Sequence, residues 1–226
     1  MFNESAEFYD KLYRWKDYKK ESEKVLEFIS KQEEAPKTIL DIACGTHEHA
    51  RYLSNRFHLD GLDINDKFIE HAKSKNPRGE YFVGNMTDFN IGKKYDVVMS
   101  LFSSVGYCKT VKNMESAIGC MAKHTNPGGL VIVEPWFSPE AWYPGRVHML
   151  NVDDEDLKIC RMNMSETKDG VSYIKFHYLV GIPEKGVQHF TEEHELGLFT
   201  HEQMMSAMKK AGLHATHDKV GLWPSS

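Results

Sequence analysis

The stretch over residues 39–49, ILDIACGTHEH, constrains the fold of this chain more than any other. An apolar run holds one acidic residue, Asp41, and leads into a turn of small residues that includes Ala43 and Gly45. A helical pattern follows, and a second apolar run ends in Asp63, 22 residues after Asp41. Strand, small-residue turn, helix, strand and carboxylate is how open α/β sheets hold a nucleoside-bearing ligand.

Strands and helices alternate through the first part of the chain, after a helix that we predict over 5–32. This alternation is typical of an α/β fold with a doubly wound, mostly parallel, Rossmann-like sheet. The predicted elements are strand 38–43, helix 48–56, strand 58–63, helix 66–75, strand 80–84, strand 95–101, helix 111–124 and strand 129–134.

Beyond Pro135 the pattern changes to β-rich segments separated by hairpin-type turns, which predicts an antiparallel insertion after the fifth strand. We expect it to cover the carboxyl ends of the parallel strands, where such sheets bind ligands. A helix over 200–211 and a strand over 213–220 follow. The predicted insertion strands are 157–165, 171–180 and 187–199. The predicted units are a core with an N-terminal helical cap (1–135), the insertion as a substrate or oligomer region (136–199) and a return to the core (200–226).

Composition excludes several classes of protein. The 226 residues are 41% apolar and 27% charged, as in ordinary globular proteins. A net charge of −5 argues against a nucleic-acid partner. We find no signal-like or membrane-spanning run, and therefore expect a cytoplasmic protein with no membrane partner. Neither the four cysteines nor the twelve histidines have metal-ligand spacing, so we expect reduced thiols and no metal.

The charge of the turn selects the ligand. A carboxylate at Asp41 would repel the pyrophosphate of a dinucleotide, whereas S-adenosylmethionine (SAM) brings an ammonium and a sulfonium. We assign Asp41, Ala43 and Gly45 to the methionine end of SAM, and Asp63 to its ribose hydroxyls. An ordinary strand-to-helix turn, with Asp63 as a helix N-cap, is the structural alternative.

Residues after the next strands extend this predicted cofactor site. Asn85 and the backbone amide of Met86 suit the adenine edge, while Ile64 and Met86 would supply apolar walls. Leu101 and Phe102 leave the fourth strand and would pass beneath the sulfonium. Phe102 suits this place because aromatic faces attract cations. Simple core packing is the alternative for Phe102.

A second group of residues is expected to meet the acceptor. Tyr13 and Tyr9 lie in an aromatic-rich N-terminal helix that would close over the site, Tyr13 towards the cofactor and Tyr9 towards the acceptor. The alternative is that this helix packs its aromatic stripe on a sheet. The other predicted acceptor contacts are Ser103, Ser104, Tyr107 and Trp136.

Taken together, these segments resemble class I SAM-dependent methyltransferases, and more narrowly the dTDP-3-amino-sugar N,N-dimethyltransferases of desosamine and mycaminose biosynthesis. The resemblance implies N-methylation of a nucleotide-linked amino sugar, with SAM as cofactor. The segments that carry it are LDIACGT (40–46), GNMTDF (84–89), SLFSSVGY-KT (100–110), NPGGLVIVEPW (126–136), KFHYLV (175–180), KGVQHF (185–190) and GLF (197–199).

Three departures from the family pattern stand out. His47 replaces the last glycine of the turn, where a positive φ would cost about 1–2 kcal/mol, and we expect the turn to adjust around it. Asn85 stands where relatives have Asp. The family fold has a final antiparallel strand after 213–220, before which this sequence ends; we expect a truncated sequence or a strand from another chain.

Methyl transfer to an amine is an in-line displacement that depends mainly on orientation. The candidates for holding or deprotonating the amine are His177, His189 and Glu134, and His189→Ala should lower the rate without changing SAM affinity. His189 and His194 are an odd number of residues apart and should point to opposite strand faces.

Other readings stay open at this point. The acceptor could be an amino acid, a polyamine or a hydroxyl compound, or the chain could bind SAM without catalysis. A nicotinamide dehydrogenase is disfavoured by Asp41. Exposed edges of the insertion would suit a homodimer.

Overall fold

Two β-sheets form the framework of the chain in a computed structural model that describes residues 2–222. One sheet has five parallel strands in the order β3-β2-β1-β4-β5, and the other has four antiparallel strands in the order β6-β7-β8-β9. The predicted parallel sheet and antiparallel insertion are thus confirmed. The strands are β1 (Thr38–Ile42), β2 (His58–Asp63), β3 (Tyr81–Val83), β4 (Tyr95–Ser100), β5 (Thr125–Val133), β6 (Val147–Asp153), β7 (Lys158–Lys168), β8 (Val171–Ile182) and β9 (Gly186–Gly197).

Six α-helices and two 3₁₀ helices complete the described part of the chain, and none of these helices has the length and apolarity needed to cross a bilayer. The 3₁₀ helices are Ser5–Phe8 and Ser104–Cys108. The α-helices are α1 (Tyr9–Leu12), α2 (Tyr18–Ile29), α3 (Ala50–Leu53), α4 (Asp66–Lys75), α5 (Val111–Lys123) and α6 (His201–Lys210).

Strand β1 lies at the centre of the parallel sheet and is buried on both faces. Ile39 packs in a cluster with Val25 of α2, whereas Leu40 packs in a cluster with Met121 of α5. A strand covered on both faces reads as a continuous apolar run, which is why Asp41 stands out in it. Strands β1 and β2 are parallel neighbours, so their carboxyl ends meet at one edge of the sheet.

The antiparallel sheet packs against the N-terminal segment and the loop after β4. Phe8 and Leu12 join the cluster on its inner face. At Gly106, a Cβ atom would lie 3.0 Å from side-chain atoms of both Leu196 and Trp136. A side chain at this position would have to displace both neighbours, so glycine favours the close approach of the 3₁₀ helix after β4 to β9, which brings the second sheet towards the edge of the first.

Two helix predictions were too long. The predicted helix over 5–32 is interrupted at 13–17, because the Asp17 carboxylate accepts from the Lys20 amide and starts α2 as its N-cap. The predicted helix over 48–56 is a single turn, α3.

Two strand predictions also need correction. Residues 213–220 form no strand, and β5 is the edge of the parallel sheet within residues 2–222. Gly212, with φ of 79°, turns the chain after α6, and Leu213 packs beside the α5–α6 cluster instead. Strand β6 was not predicted. Residues 223–226 of the predicted C-terminal unit lie outside the described residues.

Candidate active site at the carboxyl end of the parallel sheet

Asp63 joins the ends of β1 and β2. Its Oδ2 accepts from the Gly45 amide and its Oδ1 from the Asn65 amide, both at 2.8 Å. Asn65, and not Asp63, is the N-cap of α4, because its side chain accepts from the amides of Lys67 and Phe68. The helix-cap alternative for Asp63 is therefore excluded, and its carboxylate stays at the sheet edge.

The turn after β1 alternates residues with positive φ: Ala43 at 57°, Gly45 at 55° and His47 at 61°. The expectation that the turn adjusts around His47 was wrong, since the left-handed backbone is kept there. Such conformations cost L-residues free energy, and they persist where the surroundings enforce them, which is typical of functional sites.

A cavity of about 420 Å³ opens beside this turn and in front of Asp63. Ile64, an apolar side chain that is 48% exposed, forms part of its wall. Phe2, Phe68, Cys108 and Asn113 also line it, and none of these was predicted. The predicted residues that line it are Tyr9, Ala43, Gly45, Asp63, Ile64, Asn85, Met86, Ser104 and Tyr107.

A second, narrow cavity of about 40 Å³ lies behind the turn. Among its lining residues are three predicted cofactor contacts, Asp41, Leu101 and Phe102. Four residues line both cavities, so that the two spaces adjoin. The four shared residues are Tyr9, Ala43, Gly45 and Ser104.

The electrostatics of the two cavities favour a cation. Asp41 and Asp63 are 2% and 6% exposed. Burial raises the pKa of Asp41, and the charge of Asp63 raises it further. Burial also raises the pKa of Asp63, although the amides of Asn65 and Gly45 oppose the shift. A positively charged ligand between them would offset the cost of burying two carboxylates.

Phe102 contacts a cation from the protein itself. The Lys16 ammonium lies 4.5 Å from the centroid of the Phe102 ring and forms an ion pair with Glu21, which also binds His49 Nε2 at 2.8 Å. Sequence reasoning missed this buried cluster. A lysine in a polar segment resembles any surface lysine, and only the Asp17 helix cap indicated that the chain turns here.

The N-terminal segment is fastened across the wide cavity. Glu192 on β9 accepts from the amides of Asn3 and Ser5 and from the Ser5 hydroxyl. At the other side, Asn65 Nδ2 donates to the Phe2 carbonyl at 2.7 Å. Burial alone would raise the pKa of Glu192, but the neighbouring His194 imidazole and the hydrogen bonds from Ser5 and Asn3 hold it at about 2.

Some predicted contacts lie behind the cavity walls. Tyr13 packs edge-on against Phe102, with ring centroids 5.3 Å apart, and its hydroxyl accepts from Arg161. Ser103 Oγ donates to the Pro135 carbonyl, and Trp136 Nε1 donates to Ser172 Oγ, each at 3.0 Å. These three side chains support the walls and line neither cavity.

Asn85 is also committed locally. Its Oδ1 accepts from both the amide and the hydroxyl of Thr87 at 3.0 Å, which closes a tight turn after β3. The amide oxygen predicted for the adenine edge thus already has two donors. Asn85 still borders the wide cavity.

The predicted catalytic residues lie in two different places. The carboxylate of Glu134 accepts from the Phe102 amide, beside the narrow cavity. His177 and His189 stack at 5.7 Å between ring centroids on the exposed outer face of the antiparallel sheet. Alternation along β8 and β9 turns Tyr178 and His194 inward, so it turns these two imidazoles away from both cavities. The predicted opposition of His189 and His194 is confirmed.

Comparisons with known proteins agree with this geometry. Residues 39–129 match the methyltransferase domain family. The chain is 33% identical to dTDP-3-amino-3,4,6-trideoxy-alpha-D-glucopyranose N,N-dimethyltransferase of Streptomyces venezuelae over 219 residues, 96% of this chain and 92% of that protein. Its fold is similar to that of crystalline Streptomyces venezuelae DesVI, with a TM-score of 0.91, 32% identity and coverage of 99% and 96% of the two chains.

A further similar structure was solved with SAM bound. It is SAM-bound CalS10, described as an amino pentose methyltransferase from Micromonospora echinaspora involved in calicheamicin biosynthesis. The TM-score is 0.81 at 29% identity, with coverage of 94% of this chain and 89% of that one.

Proposed function

Since the chain belongs to the family of SAM-dependent methyltransferases that includes these sugar N,N-dimethyltransferases, we propose that its acceptor is the amino group of a nucleotide-linked sugar. The observation that carries the cofactor site is the pair of buried carboxylates at the ends of β1 and β2, whose pKa values burial raises. The acceptor class is supported by relatives that match nearly the whole chain and are named for amino sugars.

The two adjoining cavities divide the cofactor contacts. In the wide cavity Asp63 would accept from ribose hydroxyls, with Ile64 and Met86 as walls for the base. In the narrow cavity Asp41 would hold the ammonium of the methionine end. Bound SAM supplies an activated methyl group between these two anchoring points.

The residues of the chain contribute orientation. Tyr9 and Ser104, which line both cavities, stand where the two spaces adjoin, and Tyr107 lines the wide one. We assign these three to holding the acceptor amine in line with the methyl group. Well-oriented reactants reach effective molarities of about 10⁵–10⁸ M, so a dedicated base is unnecessary once the amine is neutral. Glu134 is the remaining candidate for contact with the amine, and His177 and His189 are not proposed for it.

A panel of acceptors tests this function. The purified chain is incubated with SAM and, in parallel, with a dTDP-3-amino sugar, the same nucleotide sugar with a hydroxyl in place of the amine, amino acids and polyamines. Mass spectrometry should show gain of one and then two methyl groups on the amino sugar alone. Methylation of another class would redirect the acceptor assignment. SAM binding without methylation of any acceptor would contradict catalysis on these classes.

We further propose that two copies of the chain associate through the outer face of the antiparallel sheet. This face carries large apolar side chains that are exposed by 45–75%. Exposed apolar surface of this kind marks an interface in many proteins. The exposed apolar residues of this face are Val147, Met149, Met162, Met164, Leu179 and Val187.

Light scattering on a sizing column tests the association. Met149 on β6 and Met162 on β7 are direct cross-strand neighbours, so Met149→Glu with Met162→Glu places two adjacent charges on this face. We expect a dimeric mass for the natural chain and a monomeric mass for this variant. Tyr52→Glu, at an exposed aromatic residue of α3, is the control and should leave the dimer intact. A monomeric natural chain would contradict the proposal.

A further inference from the structure

His47 has no part in the function proposed above, yet it is fully buried against the cofactor site. Its Nδ1 lies 2.9 Å from the Tyr81 hydroxyl and its Nε2 lies 3.6 Å from Asp41 Oδ2. Nε2 has no hydrogen-bond partner within residues 2–222. A buried ring nitrogen that faces a carboxylate without a bond calls for an explanation, because unsatisfied polar groups are costly.

The surroundings decide which nitrogen carries the proton. The Tyr81 hydroxyl can donate either to the Asn76 carbonyl, at 3.1 Å, or to His47 Nδ1. The Asn76 carbonyl already accepts from the Gly79 amide at 3.2 Å, so it does not require Tyr81. If the proton of His47 were on Nδ1, a lone pair would face the Asp41 carboxylate. The favourable arrangement is therefore Tyr81 donating to Nδ1, with the imidazole proton on Nε2 pointing at Asp41.

We propose that His47 is a positioning residue whose Nε2–H keeps the Asp41 carboxylate ionised and oriented towards the ammonium of SAM. The separation of 3.6 Å exceeds hydrogen-bond range by a few tenths of an ångström, which a rotation of the Asp41 side chain can close. This inference rests on the proposed function, since it takes Asp41 to be the group that meets the ammonium.

The neighbouring charges define the expected pH dependence. Burial lowers the pKa of His47 to about 3, helped by His49 and by Lys75, so the imidazole is neutral near pH 7. Lys75 itself is paired with Asp10 and Glu48. The other titratable groups around the pair are Asp63, the Cys44 thiol and Tyr81.

Asp41 is consequently the group of the pair that titrates. Protonating Asp41 removes the charge that attracts the ammonium, so SAM affinity should fall as the pH falls through the pKa of Asp41. Loss of the His47 donor should raise this pKa and move the decline to higher pH.

Titration calorimetry with SAM between pH 5 and 9 tests the proposal. His47→Gly suits the positive φ and removes the imidazole; SAM should bind roughly ten-fold more weakly at pH 7. The pH at which affinity declines should rise by about one unit. Tyr81→Phe keeps His47 and the turn, and should shift the decline in the same direction by less. In an Asp41→Asn background, His47→Gly should cause no further loss of affinity.

The outcomes separate this inference from the proposed function. Profiles of His47→Gly and Tyr81→Phe that superimpose on that of the natural chain would overturn the inference while SAM binding stands. If the natural chain binds no SAM, the proposed function itself fails. Should His47→Gly not fold, as judged by thermal unfolding, the profile of Tyr81→Phe decides alone, and an unchanged profile counts against the inference.

Discussion

In two of the regions where this chain buries carboxylates, the pKa values of those carboxylates move in opposite directions. At the edge of the parallel sheet, burial raises the pKa of both Asp41 and Asp63. On the inner face of the antiparallel sheet, Glu192 is 5% exposed, yet hydrogen bonds hold its pKa at about 2. Similar burial thus accompanies opposite electrostatic outcomes.

The difference comes from the donors around each group. Glu192 receives three hydrogen bonds from the N-terminal segment, and His194 lies 3.7 Å away. Asp63 receives two from backbone amides, and the nitrogen of His47 stands 3.6 Å from Asp41. A buried carboxylate with several hydrogen-bond donors, such as Glu192, stabilises the fold. A pair of buried carboxylates with fewer donors, such as Asp41 and Asp63, is suited to a cationic ligand.

Neutralising Asp63 should have the largest effect on ligand binding. With Asp63→Asn, we expect the dissociation constant for SAM to rise roughly 10- to 100-fold, since hydrogen bonds to charged groups contribute about 1.5–3 kcal/mol. The free energy of unfolding should change by less than about 1 kcal/mol, because the amide relieves a buried charge. Titration calorimetry and urea unfolding measure the two quantities. Asp88→Asn, an exposed carboxylate outside the cavities, is the control; an equal loss there would sink the assignment.

Neutralising Glu192 should lower stability more than it lowers SAM affinity. Glu192→Gln is expected to lower the free energy of unfolding by about 1–3 kcal/mol, because buried amides of the N-terminal segment lose a charged acceptor. Hydrogen exchange of residues 3–8 should accelerate, while SAM affinity should change less than with Asp63→Asn. Glu193→Gln, the next residue on the outward face, is the matched control. If Glu192→Gln weakened SAM binding by more free energy than it removed from folding stability, Glu192 would belong to the SAM site.

Lowering the pH should change the stability contributions of the two regions in opposite directions. The depressed pKa of Glu192 contributes stability above pH 4.5 that is lost as the pH falls from 4.5 towards 2. The raised pKa of Asp63 works the other way, since stability is gained as the pH falls through the folded-state pKa towards 3.8. Urea unfolding from pH 7 to 3 should show the gap between the natural chain and Glu192→Gln narrowing with acid. A gap that widens would reverse the sign assigned to Glu192.

The smallest effect is expected at the two outward histidines. His177→Ala and His189→Ala should each leave the methylation rate within about two-fold and stability within about 0.5 kcal/mol, as for surface positions away from special features. Initial rates with the amino-sugar acceptor and thermal unfolding provide the check. A large loss of rate from His189→Ala alone would restore the catalytic role predicted from sequence.

Much of the parallel-sheet site could be predicted from sequence because its residues come from short, local patterns. Asp41, Gly45 and Asp63 each follow from a strand and the turn after it, and parallel pairing forces those ends together. Met86 and Ser104 are positioned in the same way, by the strands that precede them. The order of elements also fixed the class of fold.

The rest depends on contacts between distant segments. Phe2 lines the cavity because Asn65 binds its carbonyl and Glu192, nearly the whole chain away, holds the residues that follow it. Lys16 lies against Phe102 because the chain breaks before α2, whose N-cap is Asp17, and the apolar pattern did not reveal this break. Strand alternation gave opposite faces for His189 and His194, but which face is inward is decided by how the two sheets pack.

Tyr9 borders both cavities, so a ligand that fills both must extend past this residue. Adenosine would occupy the wide space without passing that ring, while a longer adenosyl compound would extend beyond it. A graded series of such fragments, each one atom group longer, would register the reach past Tyr9 as a step in affinity. The fragment length at which that step occurs would locate the boundary between the two cavities.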